Sequence, residues 1–181
     1  MDGVPSGTVA GSSSPGGRGW SHLVSEEIEE MGWTAGLLRT MGERLGRSHN
    51  PEAGELGATL VRHAGSLLRL KEGALKRVLE VVEVASVRQV GEAEWQFVGN
   101  ALRTCGEALV TAGKRYAESA RTLPGMEGDL RAATGEVLII SRLVEERGSQ
   151  MQRLGERLLG FTEADRMALS TTLVAKRAPR A

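Results

Sequence analysis

The chain reads as an all-α protein, an antiparallel long-helix bundle or coiled coil of three to four main helices with a short C-terminal helix. Three observations point there. Apolar residues recur at alternating steps of three and four in every long segment, the a/d rhythm of helices packed against helices. Proline is confined to Pro5, Pro15, Pro51, Pro124 and Pro179, all at the ends or breaks of those segments. No run of short alternating strands bounded by turn residues interrupts them.

Residues 1–20 are mostly Gly, Ser and Pro and bury too little apolar surface to offset the entropy of ordering, which predicts a disordered tail. A first helix over 21–46 follows, carrying Val24, Ile28, Met31, Ala35, Leu38 and Leu45, with Gly42 in the remaining core slot. Glu26, Glu27, Glu29 and Glu30 crowd its start and read as complements to the positive end of the helix dipole. They do not read as a metal site, because consecutive positions point in different directions around a helix.

Asn50 is placed to cap the next helix, and Pro51 suits its first position, where an N–H is not needed. That helix is expected over 51–86, with Leu56, Leu60, Leu67, Leu70, Ala74, Val78, Val81 and Ala85 on its stripe. His63 or Ala64 fills the slot after Leu60, and the step from Ala74 to Val78 marks a local shift of the stripe. A break at Ser86–Gly91 is favoured over one rod, which would reach roughly 110 Å from Pro51 to Leu123.

The third helix, 92–123, holds the most regular stripe: Trp95, Val98, Leu102, Cys105, Leu109, Ala112, Tyr116 and Leu123. Pro124-Gly125 ends it. A fourth, 127–159, carries Leu130, Ala133, Val137, Ile140, Val144, Met151, Leu154 and Leu158, interrupted only by Arg147. The bundle is thus assigned to 21–160. Within 161–181, Thr162 and Asp165 form a capping-box pattern opening a short helix, and a basic tail ends at Arg180.

The 24 glycines are too many for an ordinary helical chain, since each inside a helix costs ~1 kcal/mol relative to alanine. Their order is informative. Gly99, Gly106 and Gly113 lie seven apart, Gly148 and Gly155 hold the same slot in the fourth helix behind Thr134 and Ser141, and Gly32 and Gly46 hold it in the first. Such a stripe lets helix backbones approach closely.

Twenty-three basic residues balance 23 acidic ones, which argues against a dedicated nucleic-acid binder. Cys105 is the only cysteine and sits on an apolar stripe, so it reads as an inert thiol in a reducing compartment. No long uncharged window predicts a membrane span, and no leader pattern opens the chain, so the expected location is cytoplasmic. His22, His49 and His63 lack metal spacing, and no catalytic, metal or cofactor motif stands out. The reading is a non-enzymatic coiled-coil interaction or scaffold protein, a subunit of a larger assembly or a homo-oligomer, engaging protein partners through its helical faces. The alternative is a membrane-surface-binding helical dimer of BAR-like architecture, which liposome co-sedimentation would separate from it.

The residues assigned to the core or interface seam are Trp95, Leu102, Leu109, Tyr116, Val137, Val144, Met151 and Leu158, with Trp33 as a further anchor. Replacing Leu109 with alanine is expected to cost about 2–5 kcal/mol in a denaturant titration, the usual result of truncating a buried leucine; an unmoved midpoint removes Leu109 from the core.

Overall fold

Backbone pairing defines the architecture before any side-chain core does. The structure, a computed structural model, describes residues 19–85, 88–123, 129–162 and 164–165, with the backbone only at 129 and 130. Most of the N-terminal tail, the Leu130 side chain, most of the short C-terminal helix and the basic end lie outside what is described.

Helix α1 spans Trp20–Gly46 and α2 spans Pro51–Leu70. One turn of π-helix, Lys71–Leu75, leads without a break into α3, Lys76–Ala85. Helices α4, Glu92–Thr122, and α5, Asp129–Leu159, complete the bundle. Residues 88–91 are not helical, so the rod is divided where the sequence favoured division. Asn50 caps α2 as expected, accepting from the backbone N–H groups of Glu52 at 2.9 Å and Ala53 at 3.1 Å. Thr162 and Asp165 form the capping box, the Asp165 N–H donating to Thr162 Oγ1 at 3.2 Å and the Thr162 N–H donating to Asp165 Oδ2 at 3.0 Å.

The helices run alternately up and down around a ring. Within the first hairpin Gly42 faces Gly57, and further along Lys71 reaches Glu29. In the second, Gly99 faces Gly155 and Gly106 faces Gly148. The hairpins meet along α1–α5, where Arg44 pairs with Glu136 and Arg147 with Glu30, and along α2/α3–α4, where His63 meets Tyr116 and Arg77 lies over Phe97. In every pair, rising numbers on one helix match falling numbers on the other, so all four contacts are antiparallel. One core joins them, including Val24, Ile28, Leu38, Leu60, Val82, Leu102 and Val144.

The glycine stripe does what its spacing implied in α4 and α5. A Cβ on Gly106 would lie 2.5 Å from the Gly148 carbonyl oxygen and from the Gln152 nitrogen. One on Gly155 would lie 2.5 Å from the Gly99 oxygen, and one on Gly113 would lie 2.7 Å from the Ser141 oxygen. The backbones therefore touch with no side chain between them. In α1 the stripe was misplaced. Gly46 has open space where a Cβ would sit, and Gly32 meets only the flexible Lys71 side chain. The close approach uses Gly42, whose Cβ would lie 2.6 Å from the Gly57 oxygen.

Three further expectations are corrected. Trp20 does not belong to the tail: it opens α1, is buried, and packs against Trp95, the rings tilted by 56° with 4.6 Å between centroids. Ala74 is exposed, and Leu75 takes the core position instead. The cause is the π-turn, which absorbs one extra residue and rotates the following stripe onto Leu75, Val78, Val82 and Ala85. Finally, because α1 begins at Trp20, the four glutamates lie past its first turn and do not serve its dipole. Three of them reach sideways, Glu30 to Arg147 at 3.1 Å, Glu27 to Arg147 at 3.7 Å and Glu29 to Lys71 at 2.7 Å, while Glu26 lies 3.9 Å from His22 on α1 itself.

Gly106→Ala should lower stability by about 1–3 kcal/mol through overpacking, outweighing the ~1 kcal/mol that alanine's helix propensity returns. Gly54→Ala, whose added methyl meets nothing within 4 Å, should instead raise stability by about 0.5–1 kcal/mol. Denaturant midpoints of the two variants check the opposite signs.

Candidate interaction surfaces

The eight seam residues are placed inside the chain. Trp95, Leu102, Leu109, Tyr116, Val137, Val144, Met151 and Leu158 are all buried against the other helices, so their apolar surface is consumed by the bundle itself. Among the described residues the large apolar side chains left exposed are Trp33 and Ile139 and, to a lesser degree, Val61 and Leu68 on α2.

On the α1–α5 side, Trp33 and Ile139 stand out from the surface at 56% and 70% exposure. They line a groove of about 580 Å³ with Leu37, Met41, Ile140 and Leu143, rimmed by Thr40, Glu136, Arg142 and Glu146. Trp33 is thus an anchor outside the core. Ile139 was missed, although a signal existed. Val137-Leu138-Ile139-Ile140 is a run of four apolar residues, and at 100° per residue they cannot all face inward. Val137 is buried, Leu138 and Ile140 are half-buried, and Ile139 is left outside.

Charge closes the same side at two heights. Arg44 donates to both carboxylate oxygens of Glu136 at 2.8 and 2.7 Å. Arg147, the one interruption in the α5 stripe, sits half-buried between Glu27 and Glu30. Burial raises the Glu27 pKa above its ordinary value, and the Arg147 guanidinium offsets only part of that. Arg142 and Glu146 make no ion pair among the described residues.

On the α2–α4 side the helices stand apart, because α4 offers Thr104, Ala108, Thr111 and Ala112 there and α2 offers Ser66. These are too small to fill the space, and a cleft of about 590 Å³ results, floored by Leu67, Leu70, Cys105 and Leu109. Burial pushes the Cys105 thiol up to about 12, so it stays protonated and unreactive. A hydrogen bond of 2.6 Å between His63 Nδ1 and the Tyr116 hydroxyl spans one end. Burial holds the Tyr116 phenol up at about 12, so it stays protonated, and the His63 tautomer sets which of the two donates. The His63 pKa is lowered by burial and by the nearby Arg62 and Arg115 charges. The slot that the sequence offered to His63 or Ala64 is shared: Ala64 enters the core and His63 bridges the cleft.

Among the described residues no helix is long and apolar enough to cross a membrane, and no group of three or more His, Cys, Asp or Glu could hold a metal ion. No protein-family model, curated protein or solved structure matches the chain.

Tyr116→Phe should cost about 0.5–1.5 kcal/mol by removing the hydrogen-bond partner of His63. The lowered His63 pKa also sets a pH dependence. Between the folded value and 6.5 the unfolded chain binds more protons, so the His63 contribution is complete above 6.5 and is lost as pH falls toward the folded pKa. Urea midpoints from pH 7.5 to 5 should fall less steeply in His63→Gln than in the wild type, with Glu27 common to both.

Proposed function

We propose that the protein is a non-enzymatic interaction protein, a rigid helical bundle that offers the α1–α5 groove to a protein partner as part of a larger assembly or of a homo-oligomer. The observation that carries this is the pairing of Trp33 and Ile139 on one outer face. Fully burying a large apolar side chain is favourable by about 1.5–3 kcal/mol, and the bundle has no further helix among the described residues to cover these two. Tryptophan beside aliphatic residues within a polar rim is also the composition of interface centres. The cytoplasm is the proposed compartment, supported by a single buried free thiol.

The double variant Trp33→Ser with Ile139→Ser tests the reading. It should melt within about 0.5 kcal/mol of the wild type, as surface substitutions do. It should also lose, by on the order of tenfold, whatever partner the wild-type chain retains, its own copy included. A wild-type chain that stays a 19.3 kDa monomer and holds no protein through this face overturns the proposal.

A further inference from the structure

The outward face of α5 has an order that a surface built for an unrelated partner would not need. The helical neighbours of Ile139 lie three, four and seven positions away. They are Ala132, Gly135 and Glu136 on one side and Arg142, Leu143 and Glu146 on the other. Ala132, Gly135, Ile139, Arg142 and Glu146 are exposed, and Glu136 and Leu143 are half-buried.

We propose that this face pairs with a second copy of the same chain, antiparallel and twofold-symmetric about Ile139. The inference rests on the interaction reading above and names its partner. In such a pair, positions equally far before and after Ile139 face each other. Ile139 then meets Ile139 of the second copy, and Glu136 meets Arg142 of the second copy twice over. Gly135 faces Leu143 of the second copy, and the space where a Gly135 Cβ would sit is open to at least 4 Å, a hole matched to that knob. Glu146 falls opposite Ala132, so no like charges meet.

The reverse orientation is excluded by the same residues. A parallel pair would set Glu136 against Glu136 and Arg142 against Arg142, and like-charge contacts across an interface cost several kcal/mol. Among the described residues Arg142 makes no ion pair, so the contact displaces no partner seen there. Glu136 keeps Arg44, yet its side chain remains 44% exposed and can take a second guanidinium. Trp33, on the same groove, is covered as the α1 helices come alongside. The contact is isologous, so it closes at two copies.

Light scattering of the full chain at about 100 µM should give twice the mass of one chain, within reach of a weak dimer. Ile139→Glu should return it to monomer. Glu136→Arg alone and Arg142→Glu alone should each weaken the pair by about tenfold or more through repulsion. Their equimolar mixture should recover the dimer, because every facing pair is then again of opposite sign. Ile139 and Arg142 are exposed, so unchanged thermal melting of Ile139→Glu and Arg142→Glu separates loss of pairing from loss of fold. Glu136→Arg also breaks the Arg44 pair, and Glu136→Gln, which loses that pair without adding a charge, is its melting control. Trp33 supplies an independent readout, since Trp20 and Trp95 are buried and acrylamide quenching should fall on dimerisation.

A monomer at that concentration, a dimer indifferent to Ile139→Glu, or a mixture that fails to recover each overturns the assignment. A monomer that still holds another protein through Trp33 and Ile139 overturns only the self-pairing and leaves the interaction reading standing. A monomer that holds nothing overturns both.

Discussion

Everything in this fold depends on the contact of bare backbone against bare backbone between α4 and α5. Gly99 against Gly155 and Gly106 against Gly148 bring the two helices together with no side chain between them. Each glycine costs ~1 kcal/mol in helix propensity, so the arrangement persists only because close contact returns more. Dispersion between densely packed main-chain atoms and weak Cα–H···O contacts are the available sources. The α1–α2 hairpin repeats the device once, at Gly42 and Gly57, and continues it with Ala35 and Ala64, both buried and one heptad further along the same register.

The grooves follow from that stitching. Since the hairpins are closed by glycine and alanine, their large side chains must gather where one hairpin meets the other. The resulting seams are held apart by Leu, Val and Met, and polar ties close them at intervals: Arg44–Glu136 and Arg147–Glu30 on one side, His63–Tyr116 on the other. Between the ties the seam stays open. The grooves therefore lie along the hairpin junctions, although Val61, beside Gly42 in the first hairpin, is exposed as well.

Heptad spacing made most of this legible. The α4 stripe from Trp95 to Tyr116 could be read directly, as could the glycine column beside it, because both repeat at the helix period. What escaped was whatever depends on one residue more or less, or on which helix lies next door. A π-turn leaves no mark on composition, so Ala74 and Leu75 were exchanged. Trp20 follows a Gly/Ser/Pro stretch and was read with it, although its ring has Trp95 to pack on. The four glutamates of α1 were legible as a cluster, but Arg147 and Lys71, the partners of Glu27, Glu30 and Glu29, lie on other helices, and only the assembled ring brings them together. Ile139 was hidden for the opposite reason: its neighbours fitted the inward stripe well enough to mask it.

The two open seams lie on opposite sides of the ring, and their shapes differ in a way that bears on assembly. The α1–α5 side protrudes through Trp33 and Ile139, whereas the α2–α4 side is recessed and lined by alanine and threonine. A knob on one side and a hollow on the other is the recipe for head-to-tail stacking, which does not close and grows into filaments. Two features oppose that outcome here. The His63–Tyr116 bond crosses the hollow and would have to yield to an incoming tryptophan. The Glu136 and Arg142 charges flank Ile139 symmetrically, which favours a surface meeting itself over a surface meeting its opposite. A closed pair also removes both protruding residues from water at once, and Val61 and Leu68, the other large apolar side chains exposed among the described residues, stand out far less.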